Sequence, residues 1–348
     1  GGIIQQALRV RANHHLYGGV IDLSEGHVTI ITTVYNKAKY IATWAEGLSK
    51  QTYLDKMLIL VIDDASTDGS FELVREYSAR YKLPVKILRN KRNRGLLYTI
   101  RRAYHELDTP YFAVLDADDY YVSPEKIEKA VSYLAAHEDC FAHTSNYYFE
   151  RSPGNLTPAA PTSAGDRDIS SCKDFFVMQT CSTTFRNFLT PEILKKIDMF
   201  TEKKKFTVCE GDAFRMHFVI GLGKIHFENS LDAVWRSTIG DWGTLSPFEQ
   251  NVLNMVGTRE IFEIYTSQFN MDENAMVMLS RVVGIYMHLV NEVVAGMKAL
   301  DFFKMQYKPY CQKHLEKFGE GPDSQRVMLA IHQCGKFLND LGVTINNG

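Results

Sequence analysis

Tyr111-Phe112-Ala113-Val114-Leu115-Asp116-Ala117-Asp118-Asp119-Tyr120-Tyr121 is the stretch around which the chain is organised. A short apolar run, Phe112 to Leu115, suits a buried strand, and it ends abruptly in carboxylates. In an extended segment successive side chains alternate faces, so Asp116 and Asp118 are expected to point the same way. Two such carboxylates repel, and a cation, a cluster of donors or a raised pKa must compensate. Hard divalent cations of the magnesium type take one or two carboxylates plus substrate phosphates. The same residues also suit a turn and a helix N-cap, because Ser123-Pro124-Glu125 opens a helix directly afterwards.

Working outward, strands and helices alternate. A β-branched run at 28–33 is followed by helical spacing over 37–49, a strand at 57–62 and a helix at 70–81. A strand at 85–88, a helix at 96–107 and the strand at 111–115 continue the pattern. Such alternation predicts βαβ units and a parallel sheet, hence an α/β fold. A helix at 124–136 and an aromatic-rich strand at 141–149 come next. Residues 151–170, rich in Pro, Gly, Ser and Thr, are expected to form a long loop. Beyond it the reading is a strand at 183–187, helices at 191–197 and 212–220, and strands at 224–229 and 233–236. From residue 246 the pattern is helical, with segments at 248–269, 274–300, 303–318 and 324–341.

The domain division that follows is an extension at 1–26, an α/β domain at 27–245 and a helical region at 246–348. Within the α/β domain the pattern divides into halves at 27–120 and 121–245. The 348 residues are 45% hydrophobic and 23% charged, as in globular proteins with a real core. A formal charge of −2 gives no electrostatic case for nucleic acid. Six cysteines are scattered without Cys-x-x-Cys pairs, so neither zinc nor a disulfide framework is expected, and a reducing, cytoplasmic setting is. The apolar stretch 275–295 is interrupted by Arg281, His288, Asn291 and Glu292, and falls short of the roughly 18 apolar residues a membrane span needs. Membrane association is expected to be peripheral at most, at the inner face, and the helical region is expected to oligomerise or dock partners.

In open α/β sheets ligands bind at the carboxyl ends of the strands. Those ends supply Thr33, Tyr35 and Asn36, then Asp63, Asp64, Ser66, Asp68 and Gly69. The segment after the third strand supplies Asn90, Arg92, Asn93, Arg94 and Gly95, and the fourth supplies Asp116, Ala117, Asp118 and Asp119. An aromatic face, an acceptor pair, an Asn-Arg-Gly turn and metal-competent carboxylates together describe a pocket for a nucleotide diphosphate. Tyr35 offers a ring to stack on a base, and Asp63 or Asp64 an acceptor for a base N–H. Singly, each group also suits a turn, a helix cap or loop packing.

Residues 27–237 resemble the family 2 glycosyltransferases of the GT-A fold. The hallmark opening appears as Val28-Thr-Ile-Ile-Thr-Thr-Val-Tyr35-Asn36, the Gln-Thr pair as Gln51-Thr52 and the Asp-Asp-x-Ser-x-Asp signature as Asp63 to Asp68. The Asn-x-Gly turn is Asn93 to Gly95, and the DxD element lies in Leu115-Asp-Ala-Asp-Asp119. The resemblance implies a nucleotide-diphosphate-sugar donor, with UDP the expected nucleotide, and Mn2+ or Mg2+ as cofactor. It places Thr33 and Tyr35 around the base, Asp64, with Asp63 the alternative, on the uracil or ribose side, Asp118 on the metal and Asp116 toward ribose or metal. Members often carry an Arg-Asn pair in the helix after the Asn-x-Gly turn. Here that stretch is Thr99-Ile100-Arg101-Arg102, with Arg101 the candidate for the phosphate contact. A His common after the last strand has no counterpart in Trp235 to Trp242, where Arg236 is the nearest cation.

The family's catalytic carboxylate opens a helix in the second half, matched here by Glu210-Gly211-Asp212. Inverting transfer needs a base within hydrogen-bond reach of an acceptor hydroxyl, and Asp212 is the expected base, with Glu210 the alternative. The acceptor is a carbohydrate, a lipid-linked or a peptide-linked glycan. Two other functions fit parts of the pattern. A sugar-1-phosphate nucleotidyltransferase wants a Gly-rich, Arg-containing loop after strand one, where this chain has Thr33-Val-Tyr-Asn-Lys-Ala-Lys39. A non-catalytic nucleotide-sugar-binding protein would keep the pocket without turnover.

Overall fold

The computed structural model describes residues 26–160, 163–168, 178–202 and 222–236, together with 15–16, 19–20, 215 and 219. Two compact units divide the chain: Gly1–Ile197 with Leu222–Gly243, and Asp198–Gly221 with Thr244–Gly348. Nearly all the described residues belong to the first. The expected helices beyond 246, and Glu210 and Asp212, lie outside the described residues.

The β-branched run forms strand β1 (Val28–Val34), and the apolar run after it forms β2 (Met57–Asp63). With β3 (Val85–Arg89) and β4 (Tyr111–Val114) they make a parallel core in the spatial order β3-β2-β1-β4. Four helices connect or follow these strands: α1 (Ile41–Ser49), α2 (Ser70–Arg80), α3 (Leu96–His105) and α4 (Lys126–Ala136). β1 and β2 are buried on both faces, as parallel strands covered by helices must be. Val28, Ile30, Ile59, Val61, Ala113 and Leu115 pack with Ile41, Trp44 and Leu48 of α1, Val74 of α2 and Ile127, Val131 and Leu134 of α4. The alternate residues face the other way. There Phe112 meets Tyr104 of α3 at 6.3 Å, Phe185 at 5.1 Å and Phe188 at 5.8 Å between ring centroids.

The second half adds β5 (Tyr120–Tyr121), β6 (Cys140–Ser152), β7 (Asn155–Pro158), β8 (Gly165–Arg167), β9 (Thr183–Arg186), helix α5 (Pro191–Glu202) and β10 (Lys224–Trp235). The main path of the ten-stranded sheet runs β8-β10-β6-β9-β4-β1-β2-β3, with β5 on β10 and β7 on β6. β9 is antiparallel to both β4 and β6, so the parallel half continues into a mixed sheet without a break.

Three expectations need correction. The expected loop at 151–170 contains two strands. Gly154, at φ +77°, turns the chain so that β7 pairs back on β6, and the turn-forming composition had hidden the hairpin. The expected pair of strands at 224–229 and 233–236 is one strand. Register shifts on either side of Leu231 absorb the polar Asn229-Ser230 break as bulges. Residues 37–40 form a turn, closed by the Tyr40 N–H to the Lys37 carbonyl, so α1 starts at Ile41 rather than at 37.

Gln51 and Thr52 have a structural task. The Gln51 amide donates to the Ser123 carbonyl at 2.8 Å, and its Oε1 accepts the Ile127 N–H at 3.3 Å. Thr52 donates its N–H to the Pro124 carbonyl and its hydroxyl to Glu128 at 2.6 Å. Gln51 thus caps α4 from outside the helix, whose own N-cap residue, Glu125, makes no side-chain capping bond. Gly47 lets α1 meet β5: a Cβ there would lie 2.7 Å from the Tyr121 carbonyl oxygen and 3.0 Å from its nitrogen. Gly47→Ala is therefore expected to destabilise by about 1–2 kcal/mol, because the clash outweighs a gain in helix propensity of about 1 kcal/mol. Urea denaturation checks the sign; a stabilised variant would contradict the packing.

Candidate active site

β1 lies between β2 and β4, and the chain winds outward from it in both directions. The carboxyl ends of β1, β2 and β4 consequently meet at a switch point, where an open α/β sheet has its crevice. Two backbone bonds pin the exits: Asp64 N–H to the Val34 carbonyl at 2.8 Å, and Leu115 N–H to the Ile31 carbonyl at 2.9 Å.

The acidic stretch after β4 is a turn, contrary to the extended geometry expected for Asp116 and Asp118. The strand ends at Val114, and the Asp119 N–H returns to the Asp116 carbonyl at 2.9 Å. The turn relieves three closely spaced carboxylates by giving each a different environment. Asp116 is half-buried, Ala117 is buried between its neighbours, and Asp118 and Asp119 are buried. Asp118 Oδ2 accepts the Lys37 ammonium at 2.7 Å. Asp119 Oδ1 accepts the Arg236 N–H at 2.9 Å, while burial, then Asp118 and Asp116, push its carboxyl well above the usual range. A buried relay fixes where the turn begins: the Trp44 indole donates to the Thr32 hydroxyl at 3.1 Å, which donates to the Leu115 carbonyl at 2.8 Å.

Arg236, at the end of β10, clamps the turn from the other side. Its Nη1 reaches the Asp118 carbonyl and its Nε the Glu150 carboxylate, each at 2.5 Å, between the rings of Tyr40 and Tyr120. This guanidinium therefore holds the turn. Arg186 is committed too, donating to the carbonyls of Leu134, His137 and Cys140 where α4 ends. Below the turn lies Lys126, whose pKa burial lowers to about 8.

The acidic pair after β2 divides its labour. Asp64 accepts the Asn90 amide at 2.6 Å, the Arg94 N–H at 2.9 Å and the Gly95 N–H at 2.7 Å, so its carboxylate gathers the Asn-Arg-Gly turn onto β2. Asn93 supports the same turn by accepting the Gly95 N–H at 3.0 Å, and Gly95 takes φ +84°. Asp63 Oδ2 accepts the Ser66 N–H at 3.1 Å and pairs with Arg89 at 3.0 Å. Its Oδ1 is buried and has no hydrogen-bond donor among the described residues. Ala65 takes φ +62°, a left-handed conformation costly for a residue with a Cβ, and the bonds on either side hold it there.

The Tyr35-Asn36-Lys37 exit is clasped by the next loop. The Asn36 N–H goes to the Ser66 hydroxyl, the Lys37 N–H to the Ser70 hydroxyl and the Ala38 N–H to Asp68 Oδ2, at 3.0, 2.8 and 3.0 Å. Asn36 Oδ1 accepts the Thr67 N–H at 2.9 Å. Burial opposes ionisation of Asp68, yet the Ser70 hydroxyl and the Ala38 and Ser70 N–H groups hold its carboxyl below the usual range. Tyr35 is 42% exposed, a flat apolar face beside the acidic turn. Arg101 lies with Arg94 over the Tyr98 ring, while Arg102 anchors Asn90 Oδ1 at 2.7 Å. The structure thus brings Thr33, Tyr35, Asn36, Asp63, Asp64, Asn93, Gly95, Asp116, Ala117 and Asp118 to one end of the sheet. Sequence reasoning missed Lys37 and Glu150. A lysine directly after the Tyr-Asn pair was the available signal for the first; the second needed the fold.

Asp116 and Asp118 fit a divalent cation. The donor set is hard oxygen, but among the described residues no group of three or more His, Cys, Asp or Glu side chains forms a metal cluster, so substrate oxygens would have to supply the remaining ligands. Asp64→Asn would present an amide to three donors and is expected to cost about 2–3 kcal/mol. Denaturant unfolding measures this; an unchanged midpoint would contradict the clasp.

Residues 29–194 match the family described as Glycosyl transferase family 2. EpsE of Bacillus subtilis (strain 168) is 34% identical over 110 residues, covering 32% of this chain and 39% of that protein. The chain spans about two fifths of the length of the curated relatives it matches first. Its fold is similar to that of S. aureus TarS residues 1–349 solved with UDP-GlcNAc, with TM-score 0.58 and 14% identity over 89% of this chain and 92% of that one. A mannosyltransferase of Pyrobaculum calidifontis, solved with GDP-Man and Mn2+, gives TM-score 0.50 and 13% identity over 94% and 91%. At these identities the likeness is one of fold. Among the described residues no helix is long and apolar enough to cross a membrane.

Proposed function

We propose that the family 2 glycosyltransferase domain of this chain moves a hexosyl or N-acetylhexosaminyl group from a nucleotide-diphosphate sugar to an acceptor hydroxyl, with inversion. The observation that carries this reading is the Asp116–Asp119 turn at the switch point of the sheet, beside the exposed ring of Tyr35. UDP is the expected nucleotide, and the acceptor is a carbohydrate, lipid-linked or peptide-linked glycan. The free, buried Cys140 and Cys181 support a reducing, cytoplasmic setting.

Each residue has a task. Tyr35 stacks on the base and Thr33 and Asn36 shape its rim. Asp63 Oδ1, which lacks a donor among the described residues, takes the base N–H. Asp64 acts indirectly by holding Asn93 and Gly95 where the backbone approaches the ribose, and Arg101 contacts phosphate. Asp116, with the Ala117 backbone, turns toward the ribose, and Asp116 and Asp118 hold Mn2+ or Mg2+. When bound, that cation supplies Lewis-acid neutralisation of the diphosphate charge. Asp212 removes the proton from the attacking hydroxyl, with Glu210 the alternative base.

Two variants separate binding from chemistry. Asp118→Ala is expected to weaken metal-dependent UDP binding at least about tenfold, as measured by calorimetry. Asp212→Asn should keep UDP binding within about twofold and lower transfer by about 10²–10⁴-fold in single-turnover assays. Near-normal transfer by Asp212→Asn would move the role to Glu210.

A further inference from the structure

Lys37 donates to the candidate metal carboxylate of Asp118 from a fixed stretch of backbone. Its backbone is fixed, because the N–H groups of Asn36, Lys37 and Ala38 are all spoken for by Ser66, Ser70 and Asp68. Its side chain crosses from the exit of β1 to the turn after β4 and ends on Asp118 Oδ2 at 2.7 Å. The side chains of Lys37 and Asp118 are 20% and 9% exposed, so the pair is partly shielded from water and retains more of its attraction than a surface pair. Lys37 also lies two residues beyond Tyr35.

We propose that Lys37 is a built-in counter-ion that competes with the divalent cation for Asp118 and couples metal binding to nucleotide binding. This inference rests on the donor-pocket reading given above. Without nucleotide the ammonium neutralises Asp118, and the carboxylate is available to the cation only in the fraction of molecules where the pair is open. Apparent affinity falls by that fraction. A nucleotide diphosphate changes the balance because its oxygens offer the ammonium a second anionic partner. Lys37 then leaves Asp118 by rotation about its four-carbon stem, with no backbone motion. The lysine thus serves as a positioning residue for the diphosphate and makes cation and nucleotide bind together. By linkage, the factor by which UDP tightens the metal equals the factor by which the metal tightens UDP.

The test uses the full chain and reads metal binding directly. Free Mn2+ is followed by electron paramagnetic resonance, without UDP and at saturating UDP, in the native chain, Lys37→Met and Lys37→Arg. Loss of the competing charge should make Lys37→Met bind Mn2+ about tenfold more tightly without UDP, and its coupling to UDP should shrink about tenfold or more. Lys37→Arg, which keeps the cation, should retain weak Mn2+ binding without UDP and guards against a folding defect in the methionine variant. A merely structural lysine would leave metal affinity unchanged or lower on removal. Equal coupling in native chain and Lys37→Met, with UDP still bound, overturns the role of Lys37 and leaves the donor pocket standing. No UDP binding by the native chain at any Mn2+ concentration overturns the donor pocket itself, and this proposal with it.

Discussion

Concentrated negative charge at the carboxyl ends of three parallel strands is the constraint on which the site depends. Asp63, Asp64, Asp116, Asp118 and Asp119 crowd the switch point of the sheet, and Asp68 closes its rim. Carboxylates so close in a largely buried setting do not remain ionised without specific partners. The carboxylates are satisfied from other parts of the chain: Asp64 by the 90–95 turn, Asp119 by β10, and Asp118 and Asp68 by the Lys37 side chain and the Ala38 N–H of the 36–38 segment. Charge compensation and loop placement are therefore the same interactions. Removing one carboxylate releases the loop it holds.

The same arrangement braces the acidic turn after β4. Polar bonds reach the acidic turn from four sides, namely the Trp44–Thr32–Leu115 relay, the Arg236 clamp, the Lys37 ammonium and its own Asp119–Asp116 closure. The Arg236–Glu150 pair extends the bracing into the second half of the sheet, since Glu150 lies on β6.

Much of this was legible from sequence for stated reasons. β1 and β2 are long β-branched or apolar runs, and their alternation with helices fixes a parallel sheet. The residues at the strand ends then converge whatever the details of the loops. What was not legible is equally specific. The turn at Asp116–Asp119 depends on charge repulsion within four residues, which strand periodicity does not encode. Gln51 caps α4 from 76 positions away, as seen from Ile127, so no local pattern reveals it. β7 and β8 were concealed in a stretch of turn-forming residues because their pairing is with β6 and β10, not with each other. That Asp64 gathers the 90–95 turn while Asp63 keeps one oxygen without a donor among the described residues needed the hydrogen-bond partners of each oxygen.

The account's central claim is a metal-dependent pocket for a nucleotide diphosphate at the ends of β1, β2 and β4. Calorimetric titration of the full chain with UDP, GDP and dTDP, each in Mn2+ and again in excess chelator, tests it most directly. The account predicts that one of the three, with UDP expected, binds in Mn2+ and loses that binding in chelator. Absence of binding by all three in Mn2+, or equal binding with chelator, would contradict it.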